Sequence, residues 1–299
     1  HTLARSRFAA GLLEQAPECV QFLGDAAGLR PRAREDVLRR MRSAAGRKDD
    51  PASAVLAART IRRSELFRVA VADLSGLLTL DGLGTAMTDL TSALLEVTLE
   101  LCVRDLEART GAPALTRVVV VGMGRLGGGE QGYGSDADVL FVHDPVDGAD
   151  EGAAQAQALE VVKDLIRLLG LRGPDPNLDV DAGLRPEGKN GPLVRTVASH
   201  RSYYERWAKT WEFQALLKAR PVAGDPEVGQ AYCDAVQPMV WHASTRENFV
   251  ADVQAMRRRV EQHIPPAEAA RQLKLGAGGL RDVEFSVQLL QLVHGRADE

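Results

Sequence analysis

Apolar residues recur at three- and four-residue spacing over Ser53–Ala70 and again over Asp89–Leu106, the repeat of a helix with one buried face. The run AAGRKDDP at Ala44–Pro51 and the glycine-bearing stretch Leu80–Gly84 interrupt that repeat and are expected to break the helices. After residue 110 the pattern changes. Short apolar runs at Arg117–Gly122 and Asp138–His143, and an alternating run at Leu178–Ala182, predict three strands. Between the last two, Ala158, Val161, Val162, Leu165 and Leu168 draw an apolar stripe on a helix from Gly152 to Leu171. From about residue 200 the helical repeat returns. Trp207 and Trp211 are expected four apart on one helix, in the core, with stacking on adenine as the rival reading. The arginines of Met256–Glu261 are expected on a solvated helix face. The predicted organisation is a helical sub-domain at 1–110, an α/β core with its following helices at 111–240, and the start of a helical domain at 241–299.

Composition narrows the function classes. A chain of 299 residues can bury a large core and hold two sub-domains. Its net charge of −4 and lack of a basic tail argue against nucleic acid as a partner. There is no signal peptide and no apolar run of membrane length. Cys19, Cys102 and Cys233 have neither pairing nor ligand spacing and read as ordinary thiols in a reducing cytoplasm. Because the chain begins with His1 and stops at Glu299 just after an apolar helical run, a fragment of a longer polypeptide is expected.

The chemistry is concentrated in RVVVVGMGRLGGGEQGYGSDADVLFVHD, residues 117–144. Gly122–Gly127 fits the dinucleotide-binding pattern G-x-G-x-x-G, and a Rossmann turn is one reading. That turn must be followed by a crossover helix, and a whole crossover needs about 10–12 residues or more. Only eight residues separate Gly127 from Asp136, and four of them are glycine, so no such helix fits. The aspartates point elsewhere. Strand side chains alternate faces, which sends Asp136 and Asp138 to one side. Two like charges side by side resist ionising unless a cation lies between them, and Mg2+ accepts carboxylate and phosphate oxygens together. Asp179 and Asp181 share a face of the third predicted strand and offer a further acid. Capping of a turn by Asp136 and Asp138 is the structural alternative. In Leu184–Pro192, Arg185 and Lys189 are placed to neutralise a triphosphate, with a salt bridge from Arg185 to Asp181 or Glu187 as the alternative. KLGAGGLRDVEF, Lys274–Phe285, suggests a glycine turn before a helix starting near Leu280, its purpose open between anion binding and a tight inter-domain turn.

These residues carry a family resemblance. GMGRLGGGEQGYGSDADVLFVHD resembles the nucleotidyltransferase signature, a Gly-Gly pair followed after a short helix by Asp-x-Asp. With VDAGLRPEGKNGPLVRT, YYERWAKTWEFQALLKARPVAGD and LKLGAGGLRDVEFSVQLLQLVHGR, the chain resembles the bifunctional glutamine synthetase adenylyltransferase and adenylyl-removing family. The resemblance implies an α+β fold, a polymerase-β-type core with a small mixed sheet flanked by helical sub-domains. It implies ATP as substrate, Mg2+ as cofactor, a tyrosine of glutamine synthetase as acceptor, and regulation in the cytoplasm by a PII-type signal protein. By the same resemblance Asp136, Asp138 and Asp181 are catalytic and metal-binding, and Gly127, Gly128, Ser135, Arg185 and Lys189 bind the nucleotide. Gln131 stands where the family usually has leucine, and weaker local packing is expected there. Family members hold two copies of this domain, one attaching AMP and one removing it by phosphorolysis. GYGSDAD and FVHDP resemble the attaching copy, WAKTWEFQALLKARPVAGD and GGLRDVEF the removing one. Attachment is the expected direction; removal of AMP with release of ADP is the alternative, and a non-catalytic module responsive to ATP or PII is the rival of another class.

Overall fold

Side-chain caps and apolar stripes set the helices that open the chain. In the computed structural model, which describes residues 5–24, 26–265, 267–268 and 271–295, these are α1 (Arg7–Gln15), α2 (Arg34–Ala45), α3 (Pro51–Leu74) and α4 (Leu80–Thr110). Ser6, Asp50 and Thr79 each accept a backbone N–H at the start of α1, α3 and α4, satisfying donors that no helical carbonyl can reach. Gly111, with φ of 68°, ends α4 in the left-handed conformation that glycine adopts without strain.

Leu80–Gly84 does not break the helical run; it is the first turn of α4, and the break lies in residues 75–79. Two physical reasons correct the expectation. The Thr79 hydroxyl accepts from Gly82 N–H at 3.1 Å, which starts the helix before the glycines. Gly84 then permits a close approach: a Cβ there would lie 2.8 Å from the carbonyl oxygen of Gly129. The glycines let α4 pack against the glycine-rich turn.

The sheet is built around β2 (Ala137–Pro145), which runs antiparallel to β1 (Thr116–Gly122). On its other side β2 pairs in parallel with β3 (Val180–Asp181) near its start and with β4 (Val194–Thr196) further along. The outer strand β5 (Arg220–Gly224) lies antiparallel to β1. This small mixed sheet flanked by helices is the α+β architecture expected of a nucleotidyltransferase core.

Strand alternation divides the core in two. Ala137, Val139 and Phe141 of β2 join an apolar cluster with α2, α3, α4 and α6 (Glu151–Leu169). Leu140 and Val142 point the other way, to residues of α7 (Val197–Arg206), α8 (Thr210–Leu216), α9 (Pro226–His242) and α10 (Phe249–Gln262). The last helix, α11 (Leu280–His294), adds Leu292 to this second cluster.

Three further expectations are corrected. The third strand spans Val180–Asp181 alone, because on one side Leu178 N–H donates to the Leu169 carbonyl and on the other Gly183 N–H turns back to the Asp181 carboxylate and Arg185 N–H to the Ala182 carbonyl. Trp207 and Trp211 do not share a helix: α7 stops at Arg206 and α8 starts at Thr210, leaving Trp207 73% exposed rather than in the core. Arg257 is turned inward from its helix, pairing with Glu261 at 3.0 Å and with Asp282, and donating to the Gly276 carbonyl. Among the described residues no helix is long and apolar enough to cross a membrane.

Candidate active site

The strand register brings the acids together. Asp138 and Asp181 lie directly opposite in the β2–β3 pair, and Asp136 stands one residue before β2. One carboxylate oxygen from each of Asp136, Asp138 and Asp181 lies within 4.8 Å of the others. Asp136 and Asp181 are exposed and Asp138 is half-buried. Asp181 accepts the Gly183 N–H at 2.7 Å. Among the described residues no ion pair reaches any of the three. Burial, then the charges of Asp136 and Asp181, push the Asp138 carboxyl up to about 6, against the opposing influence of Arg125 and Lys274. Three hard oxygen donors converging with their repulsion uncompensated form a set suited to a divalent cation.

The glycine-rich turn abuts this cluster through Gly124. It begins α5 (Gly124–Gly127) with φ of 50°, and a Cβ on it would lie 2.6 Å from Asp138 Oδ2. Only glycine leaves that carboxylate its place. Gly127 serves packing: it is buried, and a Cβ there would meet the Lys218 carbonyl oxygen at 1.9 Å. Arg220 closes the short helix by donating to the Gly127 carbonyl at 3.0 Å. Gly128 is exposed on the turn, with Lys218 and Glu130 bridged beside it at 2.7 Å.

The other expected residues are distributed around the cluster. Ser135 Oγ accepts from Gly132 N–H at 3.1 Å and so shapes the loop entering β2. Gln131 is buried, and its Nε2 donates to the Asp136 carbonyl at 3.1 Å. This supplies a bond that a leucine would not make, so the substitution fixes the loop rather than merely loosening it. Arg185 forms neither of its expected salt bridges; it donates to the carbonyls of Ala182, Lys189 and Gly191, while Glu187 pairs with Arg195. Its guanidinium therefore stitches the loop after β3. Lys189 is exposed on that loop.

Sequence reasoning marked Lys274–Phe285 without assigning it a task. The segment folds back on itself: Leu280 and Arg281 N–H donate to the carbonyls of Leu273 and Lys274, and a Cβ on Gly279 would lie 2.5 Å from the Leu273 carbonyl oxygen. The turn brings the Lys274 ammonium close enough to act on Asp138. Nothing in the local pattern signals that contact, which joins residues far apart in the chain.

A mixed sheet presenting three acids beside a glycine turn is the architecture of a nucleotidyltransferase core. Residues 1–235 match the family model described as glutamate-ammonia ligase adenylyltransferase, and the chain belongs to that family. Residues 252–298 match the model for GlnD PII-uridylyltransferase. The chain is 53% identical over 244 residues to the bifunctional glutamine synthetase adenylyltransferase/adenylyl-removing enzyme of Streptomyces avermitilis, covering 80% of this chain and 24% of that protein. To the enzyme of the same name from Nocardia farcinica it is 45% identical over 306 residues, covering 99% of this chain and 30% of that protein. For the Mycolicibacterium smegmatis enzyme the identity is 58% over 183 residues, 61% of this chain and 18% of that protein. The chain thus spans less than a third of the length of these relatives.

Proposed function

We propose that the chain transfers an adenylyl group from ATP to a tyrosine of glutamine synthetase, as the names of its relatives suggest. The observation that carries this reading is the convergence of Asp136, Asp138 and Asp181 beside Gly124, in a chain of the adenylyltransferase family. The three carboxylates would hold Mg2+. When bound, that ion supplies charge neutralisation to the triphosphate and acidity to an attacking hydroxyl. The chain's own residues do the positioning. Gly124 makes room for the Asp138 carboxylate, Gly128 lies exposed on the turn beside Lys218 and Glu130, and Ser135 shapes the loop entering β2. Arg125 and Lys274 contribute positive charge around Asp138, while Arg185 fixes the loop that carries the exposed Lys189. Asp181, exposed at the strand end, is available to take the tyrosine proton as its oxygen attacks the α-phosphorus, the bond to the β-phosphate breaks and pyrophosphate leaves. Positioning and charge stabilisation dominate transfer of this type.

The cytoplasm is the place of action in this reading. The match of residues 252–298 to a PII-uridylyltransferase model is the reason to include a PII-type signal protein among the regulators assayed. The experiment supplies the protein with Mg2+, ATP labelled at the α-phosphorus, and glutamine synthetase, with and without the signal protein. Metal-dependent label on a synthetase tyrosine supports the proposal. A second arm offers adenylylated synthetase and orthophosphate without ATP; ADP release there, with no labelling in the first arm, reverses the proposed direction. Silence in both arms by folded protein overturns the enzymatic reading.

A further inference from the structure

Between the sheet core and the C-terminal helices runs a cleft of about 250 Å³. We infer that it seats the adenine ring of the nucleotide, and that the Gln214 amide selects the base by accepting its exocyclic amine. The inference rests on the nucleotidyl-transfer reading above and deepens it.

Volume and walls limit what fits. Sites that enclose a whole drug-sized ligand measure roughly 300–1,000 Å³, so this cleft suits one flat heterocycle with the rest of its molecule outside. Trp211 of α8 and Phe285 of α11 line it, with Met256 and Val260 of α10. Those side chains offer an apolar face to an aromatic ring. The wall also includes Gly124, the residue whose missing Cβ makes room for Asp138 Oδ2. A base held there has its phosphates directed over Gly124 toward the three acids. Leu275 lines the cleft as well, and the charge of its neighbour Lys274 acts on Asp138.

The polar floor supplies the selectivity. Gln214 lines the cleft at 3% exposure, and its Nε2 donates to Gln288 Oε1 at 2.8 Å. Its own Oε1 is buried with no donor among the described residues. A buried carbonyl without a donor is unfavourable, so a ligand N–H is the group that completes it. Adenine carries an amino group on its six-membered ring; uracil and guanine carry carbonyl oxygens at the corresponding edge. The distinction matters in this chain. The helices supplying Met256, Val260 and Phe285 lie in the segment matching the uridylyltransferase model, whereas Gln214 lies in the segment matching the adenylyltransferase model. The walls would accept either base, and Gln214 is the group that prefers adenine.

The test measures equilibrium binding, in the presence of Mg2+, of ATP, UTP and purine riboside triphosphate, which lacks only the exocyclic amine. The expected result is about tenfold tighter binding of ATP than of purine riboside triphosphate, the scale of one buried hydrogen bond. Gln214→Met should bring ATP to the level of the analogue and leave the analogue unchanged. Gln214→Glu, which keeps an acceptor oxygen, should retain the preference, and it carries the test should the methionine variant fail to fold by circular dichroism. Equal binding of ATP and the analogue by the natural protein overturns the inference, as does a preference that survives Gln214→Met or UTP binding as tight as ATP. Each of those outcomes leaves the transfer reading standing. Absence of metal-dependent binding of any triphosphate overturns that reading and the inference with it.

Discussion

Charges of one sign are gathered at two places in this chain, and the protein treats them in opposite ways. Along α3, Arg59, Arg62, Arg63 and Arg68 are all buried. Arg63 meets Asp175 at 2.6 Å and Arg68 meets Glu65 at 3.0 Å. Arg59 donates to the carbonyls of Leu171 and Asp175, and Arg62 to that of Pro176 at 3.3 Å. Burial, with the neighbouring Arg59 charge, pushes Arg62 down to about 10, still protonated at neutral pH. At the ends of β2 and β3, Asp136, Asp138 and Asp181 gather with no ion pair among the described residues. The difference separates two uses of charge. The arginines are paired with the chain's own carbonyls and carboxylates, although each keeps one buried N–H without a partner among the described residues, and Arg59, Arg62 and Arg63 clamp the segment around residues 171–177 that leads into β3. The aspartates are incomplete, and β3 delivers one of them. A cluster paired within the chain positions one that is not, which is how a site stores affinity for a cation without collapsing.

The largest expected effect breaks the incomplete side. Asp138→Asn should reduce Mg2+-dependent label transfer about a thousandfold, near 4 kcal/mol of transition-state stabilisation, while the protein remains folded. Retention of transfer within a few-fold would show that these acids do not carry the chemistry. Next comes the completed side. Asp175→Ala leaves Arg63 buried without its carboxylate and removes the acceptor of Thr60 at 2.8 Å. Loss of one partner of a buried pair costs about 3–5 kcal/mol, to be read from urea unfolding. A loss below about 1 kcal/mol would place the arginine clamp with exposed ion pairs of little consequence.

The two clusters also differ in how far the sequence disclosed them. The aspartates were legible because alternation along an apolar strand puts Asp136 and Asp138 on one face, and the family resemblance supplied Asp181. The change of period near residue 111 disclosed a strand-bearing core after the opening helices, and the resemblance supplied its α+β architecture. The clamp was not: Arg68 is buried against Glu65 of its own helix, and nothing local marks Arg59, Arg62 and Arg63 for burial, since their partners lie more than a hundred residues away. Lys274 and Gln214 escaped for that reason too. Local composition misled at Leu80–Gly84, where glycine usually marks a break but serves a close approach to Gly129. It misled at Trp207, where a helix ends between two residues of helical spacing.

The smallest expected effect sharpens the comparison most, because it asks whether the aspartates oppose folding when no cation is present. Burial and the charges of Asp136 and Asp181 raise Asp138 to about 6 in the folded chain, against about 3.9 for a free aspartate. The folded state therefore binds the proton more tightly than the unfolded state does. The contribution of Asp138 to stability is most favourable where both states are protonated, and it falls as pH rises from about 4 through 6. Asp138→Asn is neutral throughout and escapes that loss. Urea unfolding in chelator should find the variant about 1–2 kcal/mol more stable than the natural protein at pH 7.5, the part-exposed site being screened by solvent, and nearly equal to it near pH 3. Adding Mg2+ at pH 7.5 should narrow the gap, because the natural protein gains stability by binding an ion that the variant holds less well. A variant less stable than the natural protein at both pH values would mean that the chain itself satisfies Asp138. The two charge clusters would then be of one kind, and the case for a cation at β2 and β3 would fail on stability alone, whatever the transfer assay reports.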